Sequence, residues 1–101
     1  MENVSAAEVV SLQKEGKKVL LDLWAPWCGP CRSLIPRLEK LDGQYENIEF
    51  VKVNVDEEGQ YAQGLGIRSV PTVIIFDGET EVSRITGAQP DQSYTTILES
   101  L

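Results

Sequence analysis

Histidine is absent from this sequence, and cysteine occurs only twice. The first absence removes the side chain most often used as a general base and as a nitrogen ligand for metals. Two thiols alone also fall short of the ligand set of a structural zinc site; carboxylates or a second chain would have to complete it. No apolar run approaches the roughly 20 residues that a membrane-spanning helix needs. The opening MENVSAAEVV has neither a basic start nor a long apolar stretch, so it does not read as a secretory signal. Basic side chains are scarce: nine Lys and Arg stand against sixteen Asp and Glu, for a net charge of -7. With no basic stripe, neither nucleic-acid phosphates nor an anionic membrane is an expected partner. A Gly-rich dinucleotide fingerprint is missing as well, so no cofactor and no metal is expected to reside here.

What is present describes an ordinary globular chain. Its 101 residues, 42% hydrophobic and 25% charged, suit one domain spanning 1–101 that folds on its own core. Read as it stands, the protein is expected in the cytoplasm, where stable structural disulfides are rare.

Periodicity sets the expected elements. Ser5-Ala6-Ala7-Glu8 fits a capping box opening a helix over about 6–15, which Gly16 can close. Only four residues precede its Ser5 cap, so a first strand is short or absent. Lys18–Ala25, KVLLDLWA, is a nearly continuous apolar strand interrupted by Asp22, as expected of a strand buried on both faces. Leu34, Ile35, Leu38 and Leu41 recur at helical spacing after Cys31, although Pro36 removes one helical hydrogen bond and is expected to kink the axis. Phe50–Val55 alternates as a strand, Glu57–Leu65 is a weak helix, and Val70–Phe76 is a further apolar strand with Pro71 at its start or a bulge. Asp77–Thr80 turns into a strand over 81–86, and Pro90 opens a last helix with Tyr94, Ile97, Leu98 and Leu101 on one face. The order (β)αβαβαββα implies an α/β fold: a mixed central sheet of about four or five strands with helices on both faces.

Both thiols lie in WAPWCGPC, residues 24–31. A structural bridge between Cys28 and Cys31, a shared metal site and a reversible redox couple are all readings of that spacing. A bridge closing so small a loop stabilises by roughly 2 kcal/mol, little for a chain with a good core. The redox reading fits the local physics best. Cys28 falls where a strand ends and a helix begins, so unpartnered amides and the positive end of the helix dipole favour a thiolate there. Cys31, one turn on, can attack a mixed disulfide at Cys28 within the same molecule.

WCGPC after an apolar strand with one acid, then IRSVPT, then a closing TGA loop, resembles the thioredoxin family over about Lys18–Leu101. The resemblance implies the thioredoxin-like three-layer fold and a protein-disulfide reductase. It implies Cys28 as nucleophile and Cys31 as resolving thiol, joined as a redox-active disulfide when oxidised. Asp22 matches the family's buried acid, which moves a proton to and from Cys31, and Lys52 matches the lysine facing that acid. Pro71 matches the cis-proline opposite the cysteines. Trp27, Gly29, Pro30, Val70, Pro71, Gly87 and Ala88 match the rim that receives the substrate segment, whereas Trp24 reads as a core residue.

Partners follow from the same resemblance: a thioredoxin reductase as electron donor, either flavin- and NADPH-dependent or fed by ferredoxin, and protein disulfides as substrates of a monomer. The implied role is electron transport in cell redox homeostasis. Three departures stand out: the shortened N-terminal segment, the longer FDGETEV hairpin, and Leu65 in a position usually aromatic. Two other readings remain, a redox-independent binding module or subunit and an exported oxidant or isomerase. The second is disfavoured because oxidising relatives carry a histidine between the cysteines and this chain has Gly-Pro.

Overall fold

The computed structural model describes all residues from Met1 to Leu101. Nine elements follow one another: β1 (Glu2–Asn3), α1 (Ala6–Lys14), β2 (Lys18–Trp24), α2 (Gly29–Asp42), β3 (Ile48–Asn54), α3 (Gly59–Gly64), β4 (Thr72–Asp77), β5 (Thr80–Thr86) and α4 (Asp91–Glu99). The strands form one mixed sheet in the order β1-β3-β2-β4-β5. β2 pairs parallel with β3 and antiparallel with β4, so the strand leading to the cysteines has both edges satisfied.

Alternation along each strand divides the core into two layers. Leu20, Phe50, Val73 and Ile75 face Leu34 and Leu38 of α2 and Tyr94 and Leu98 of α4. Val19, Leu21, Leu23, Val51, Val53, Ile74 and Phe76 face the other way, against Val9 of α1. β2 is thus covered on both faces, as its apolar run implied. Asp22 shares the parity of Leu20 and so points to the layer that holds α2 and α4.

Several boundaries differ from the sequence expectation for physical reasons. β1 exists, but only as two residues pairing parallel with β3. The capping box is half formed: the Glu8 amide donates to the Ser5 hydroxyl at 3.2 Å, while that hydroxyl donates to the Glu8 carboxylate instead of leaving it to the Ser5 amide. Gly16 closes α1 at φ +78°, the left-handed conformation that only glycine adopts without strain. β3 starts at Ile48 because it follows β2 from Lys18 in parallel register. Strand β4 starts at Thr72, one residue after Pro71, since proline has no amide for the ladder. α2 continues through Pro36 to Asp42. No helix is long and apolar enough to cross a membrane.

Leu38 is fully buried between α2 and the sheet. Leu38→Ala is expected to lower stability by about 2–5 kcal/mol in urea unfolding. Val82→Ala, on the exposed edge strand β5, should change it by less than about 0.5 kcal/mol.

Candidate active site

The site forms at the carboxyl end of β2. After Trp24 the chain turns through Ala25-Pro26-Trp27, and Cys28 becomes the N-cap of α2, with extended backbone at φ -90° and ψ 110°. Its sulfur occupies the place usually held by a capping oxygen: the Cys31 amide donates to Cys28 Sγ at 3.2 Å. Pro30 sits in the first turn, where a missing amide costs nothing. One helical turn then brings Cys31 back to Cys28; the two are joined as a disulfide with Cα atoms 5.3 Å apart. Cys31 is completely buried and Cys28 is 5% exposed, whereas Trp27 beside them is 68% exposed.

Asp22 lies six residues before Cys28, on the face that carries α2. It is fully buried, and neither carboxylate oxygen has a hydrogen-bond partner. Burial pushes its carboxyl up from an ordinary 3.8 to about 7, against a smaller downward pull from Lys52. Lys52 stands opposite Asp22 in the β2–β3 register. Its ammonium also lies 4.8 Å from the centroid of the Trp24 ring, within cation–π range. Trp24 in turn donates its indole N–H to Asn3 of β1 at 3.0 Å. It is therefore half-buried and tied to the polar cluster, not a plain core residue as its sequence position suggested. The physical reason is its place at the end of β2, where one ring face meets Lys52 and the indole edge meets β1.

The remaining rim comes from two loops. The Val70–Pro71 bond is cis, and the Val70 carbonyl oxygen lies 3.6 Å from Cys28 Sγ. Gly87 adopts φ +79°, and its amide donates to the Pro71 carbonyl at 2.8 Å, so the two loops are joined through their backbones. Gly29, Pro30 and Ala88 lie exposed around them. The structure thus brings Trp27, Cys28, Cys31, Val70 and Pro71 together directly. Gly87 reaches them through Pro71, and Asp22 with Lys52 lies beneath in the sheet.

Some residues of the site carried no sequence signal. Asp56 accepts the Trp27 indole N–H at 3.1 and 3.3 Å. It lies two residues beyond the end of β3, at the strand ends where open α/β sheets place their sites, and that position is the only clue to it. Tyr94 was legible only as part of the apolar stripe of α4. Its buried hydroxyl accepts from the Gln89 amide at 3.1 Å and donates to the Gly87 carbonyl at 3.4 Å, bracing the loop from below. Arg37 of α2 holds the same loop by donating to the Gln89 carbonyl and pairing with Asp91 at 2.8 Å. No group of side chains here has the composition of a metal site.

Comparison with known proteins agrees with this geometry. The family model described as Thioredoxin matches residues 4–100. Thioredoxin 1 of Nostoc sp. is 49% identical over 82 residues, covering 80% of this chain and 77% of that one. Thioredoxin-2 of Saccharomyces cerevisiae is 42% identical over 87 residues, covering 85% and 84%. The crystal structure of oxidised mitochondrial thioredoxin 3 from the same yeast superposes with a TM-score of 0.89 at 30% identity, over all of this chain and 94% of that one.

Asp22 makes stability depend on pH. Its folded carboxyl keeps a proton up to about 7, whereas the unfolded one loses it near 3.8. The native state therefore binds more protons within that window, and stability falls as pH rises through it, then levels off. The loss expected by pH 8 is roughly 4 kcal/mol. Urea unfolding of the oxidised protein should follow this slope, while Asp22→Ala should flatten it and be the more stable of the two at pH 8. An unchanged slope in Asp22→Ala would assign the dependence to another group.

Proposed function

The chain belongs to the thioredoxin family, whose members are thiol–disulfide oxidoreductases, and on that premise we propose how its residues share the reduction of protein disulfides. The observation that carries the reading is the Cys31 amide on the Cys28 sulfur at the start of α2. In the reduced protein the same amide and the positive helix end favour a Cys28 thiolate. That thiolate attacks one sulfur of a substrate disulfide; an S–S bond to substrate forms, and the other substrate sulfur leaves as a thiolate that takes up a proton. Cys31 then gives up its proton and attacks Cys28 Sγ. The Cys28–Cys31 bond forms, the mixed disulfide breaks, and the second substrate thiol leaves. Two electrons pass from the protein dithiol to the substrate, which gains two protons.

Asp22 is the proton acceptor for Cys31 in this reading. Its buried, unpartnered carboxylate and its value of about 7 suit a group that takes and returns a proton near neutrality. Lys52 keeps part of the Asp22 population ionised. The substrate segment lies extended across Trp27, Gly29, Pro30, Val70, Pro71, Gly87 and Ala88, held partly through backbone hydrogen bonds as in strand addition.

Residues 1–101 act as a single, monomeric domain in the cytoplasm and bind no cofactor. A thioredoxin reductase restores the dithiol, which makes the protein an electron carrier in cell redox homeostasis. The absence of histidine between the cysteines supports a reducing couple, since only the helix end and local hydrogen bonds hold the thiolate.

Cys31→Ser should accumulate a substrate joined to Cys28, seen as a reducible adduct on gels; an empty Cys28 after exposure to disulfide proteins would count against the mechanism. A midpoint titration in dithiothreitol buffers, read by Trp24 and Trp27 emission, should fall near the family's characteristic value of about -270 mV. A value near about -180 mV would instead favour an oxidant or isomerase. Biological activity retained by a Cys28→Ser, Cys31→Ser double variant would favour the redox-independent module.

A further inference from the structure

Cations are the minority charge of this chain, so those beside the reactive sulfur stand out. Three arginines lie near the cysteine and proline loops. Arg32, in the first turn of α2, donates to the Pro26 carbonyl at 2.9 Å. Arg84 of β5 grips the Glu81 carboxylate through two nitrogens, at 2.8 and 3.0 Å, and donates to the Leu65 carbonyl at 2.6 Å. Arg68 differs from both. It is exposed and makes no side-chain hydrogen bond or ion pair.

Its position is defined by the loop that carries it. Arg68 stands two residues before Val70, whose carbonyl oxygen is 3.6 Å from Cys28 Sγ. It borders two hollows at once. One, of about 160 Å³, is walled by Trp27, Val55, Ile67 and Val70; the other, of about 220 Å³, lies between Arg68, Arg84, Thr72 and Thr86. The loop is held at both ends, by Arg84 on the Leu65 carbonyl and by the Thr72 hydroxyl donating to the Ser69 carbonyl at 2.8 Å. A free guanidinium therefore stands on a loop tied at both ends, two residues from the carbonyl that meets Cys28 Sγ.

We propose that Arg68 is a specificity-determining residue, selecting disulfides whose attacked cysteine has an acidic side chain about two residues away along an extended segment. The proposal rests on the reductase reading. The spacing follows from the loop: Arg68 stands two residues from Val70, so with the substrate cysteine at Cys28 and its chain along Val70 the guanidinium meets a side chain about two residues away. The occupant is an acidic peptide because the guanidinium is uncompensated, and its planar fork matches a carboxylate. This local preference opposes the whole-molecule field. A net charge of -7 slows every acidic substrate at long range, so Arg68 discriminates by position and not by total charge.

The test uses two disulfide peptides identical except for Glu or Lys two residues either side of the attacked cysteine. The quantity read is the ratio of kcat/KM for the Glu peptide to that for the Lys peptide, which cancels any general loss of activity. Arg68→Gln should lower the ratio about threefold and Arg68→Glu about tenfold, as for exposed ion pairs. Both effects should shrink in 0.5 M salt, where screening acts within about 3–5 Å. Lys40→Gln removes the same charge from the far end of α2 and should leave the ratio in place. An unchanged ratio in the Arg68 variants, or an equal fall in Lys40→Gln, would overturn the proposal while leaving the reductase reading intact. Reduction of neither peptide by the unaltered protein would overturn both.

Discussion

Strand β2 imposes the constraint on which the rest depends. Both its edges are paired and both its faces are covered, so the chain has no freedom to move until it passes Trp24. Within a few residues the backbone must leave the sheet and start a helix whose first amides have no partners of their own. Cys28 stands at that junction, and its sulfur takes one of those amides. The placement of the Cys28 sulfur on a helix amide, the closeness of Cys31 and the orientation of α2 are then consequences of one handover from strand to helix.

The same strand carries the fold's most costly residue. A carboxylate at Asp22 has no partner among protein groups, and a well-packed aliphatic side chain there would leave the sheet more stable at neutral pH. Its surroundings temper that cost without removing it. Lys52 faces it across the β2–β3 ladder, Trp24 lies under the ammonium, and Asn3 of the short β1 holds the indole. A two-residue strand thus contributes little to the sheet but fixes one end of a chain of contacts leading to the buried acid.

Much of this was legible in the sequence because it is local or periodic. The apolar run around Asp22, the helical stripe from Leu34 to Leu41 and the alternation of Val51 and Val53 each identify an element and the face it buries. The thiol pair and its place at a helix start follow from eight consecutive residues. What escaped depends on pairs distant in the chain. Asp56 meets Trp27, Tyr94 supports Gly87, and Asn3 reaches Trp24, contacts set only once the sheet order brings strand ends together. Trp24 reads as core from its apolar sequence neighbours, while in space it packs on the cysteine cluster with one side and meets Lys52 and Asn3 with the other. The strand boundary at Thr72 and the half-formed capping box are smaller and local differences, settled by the missing Pro71 amide and by a choice among nearby acceptors.

The burial of Cys31 against the slight exposure of Cys28 has a further consequence for traffic through the site. An external thiol arriving to reopen the bridge finds only one of its two sulfurs within reach, and in the proposed mechanism the same sulfur meets an incoming disulfide. Donor and acceptor must therefore occupy the same patch of surface in turn.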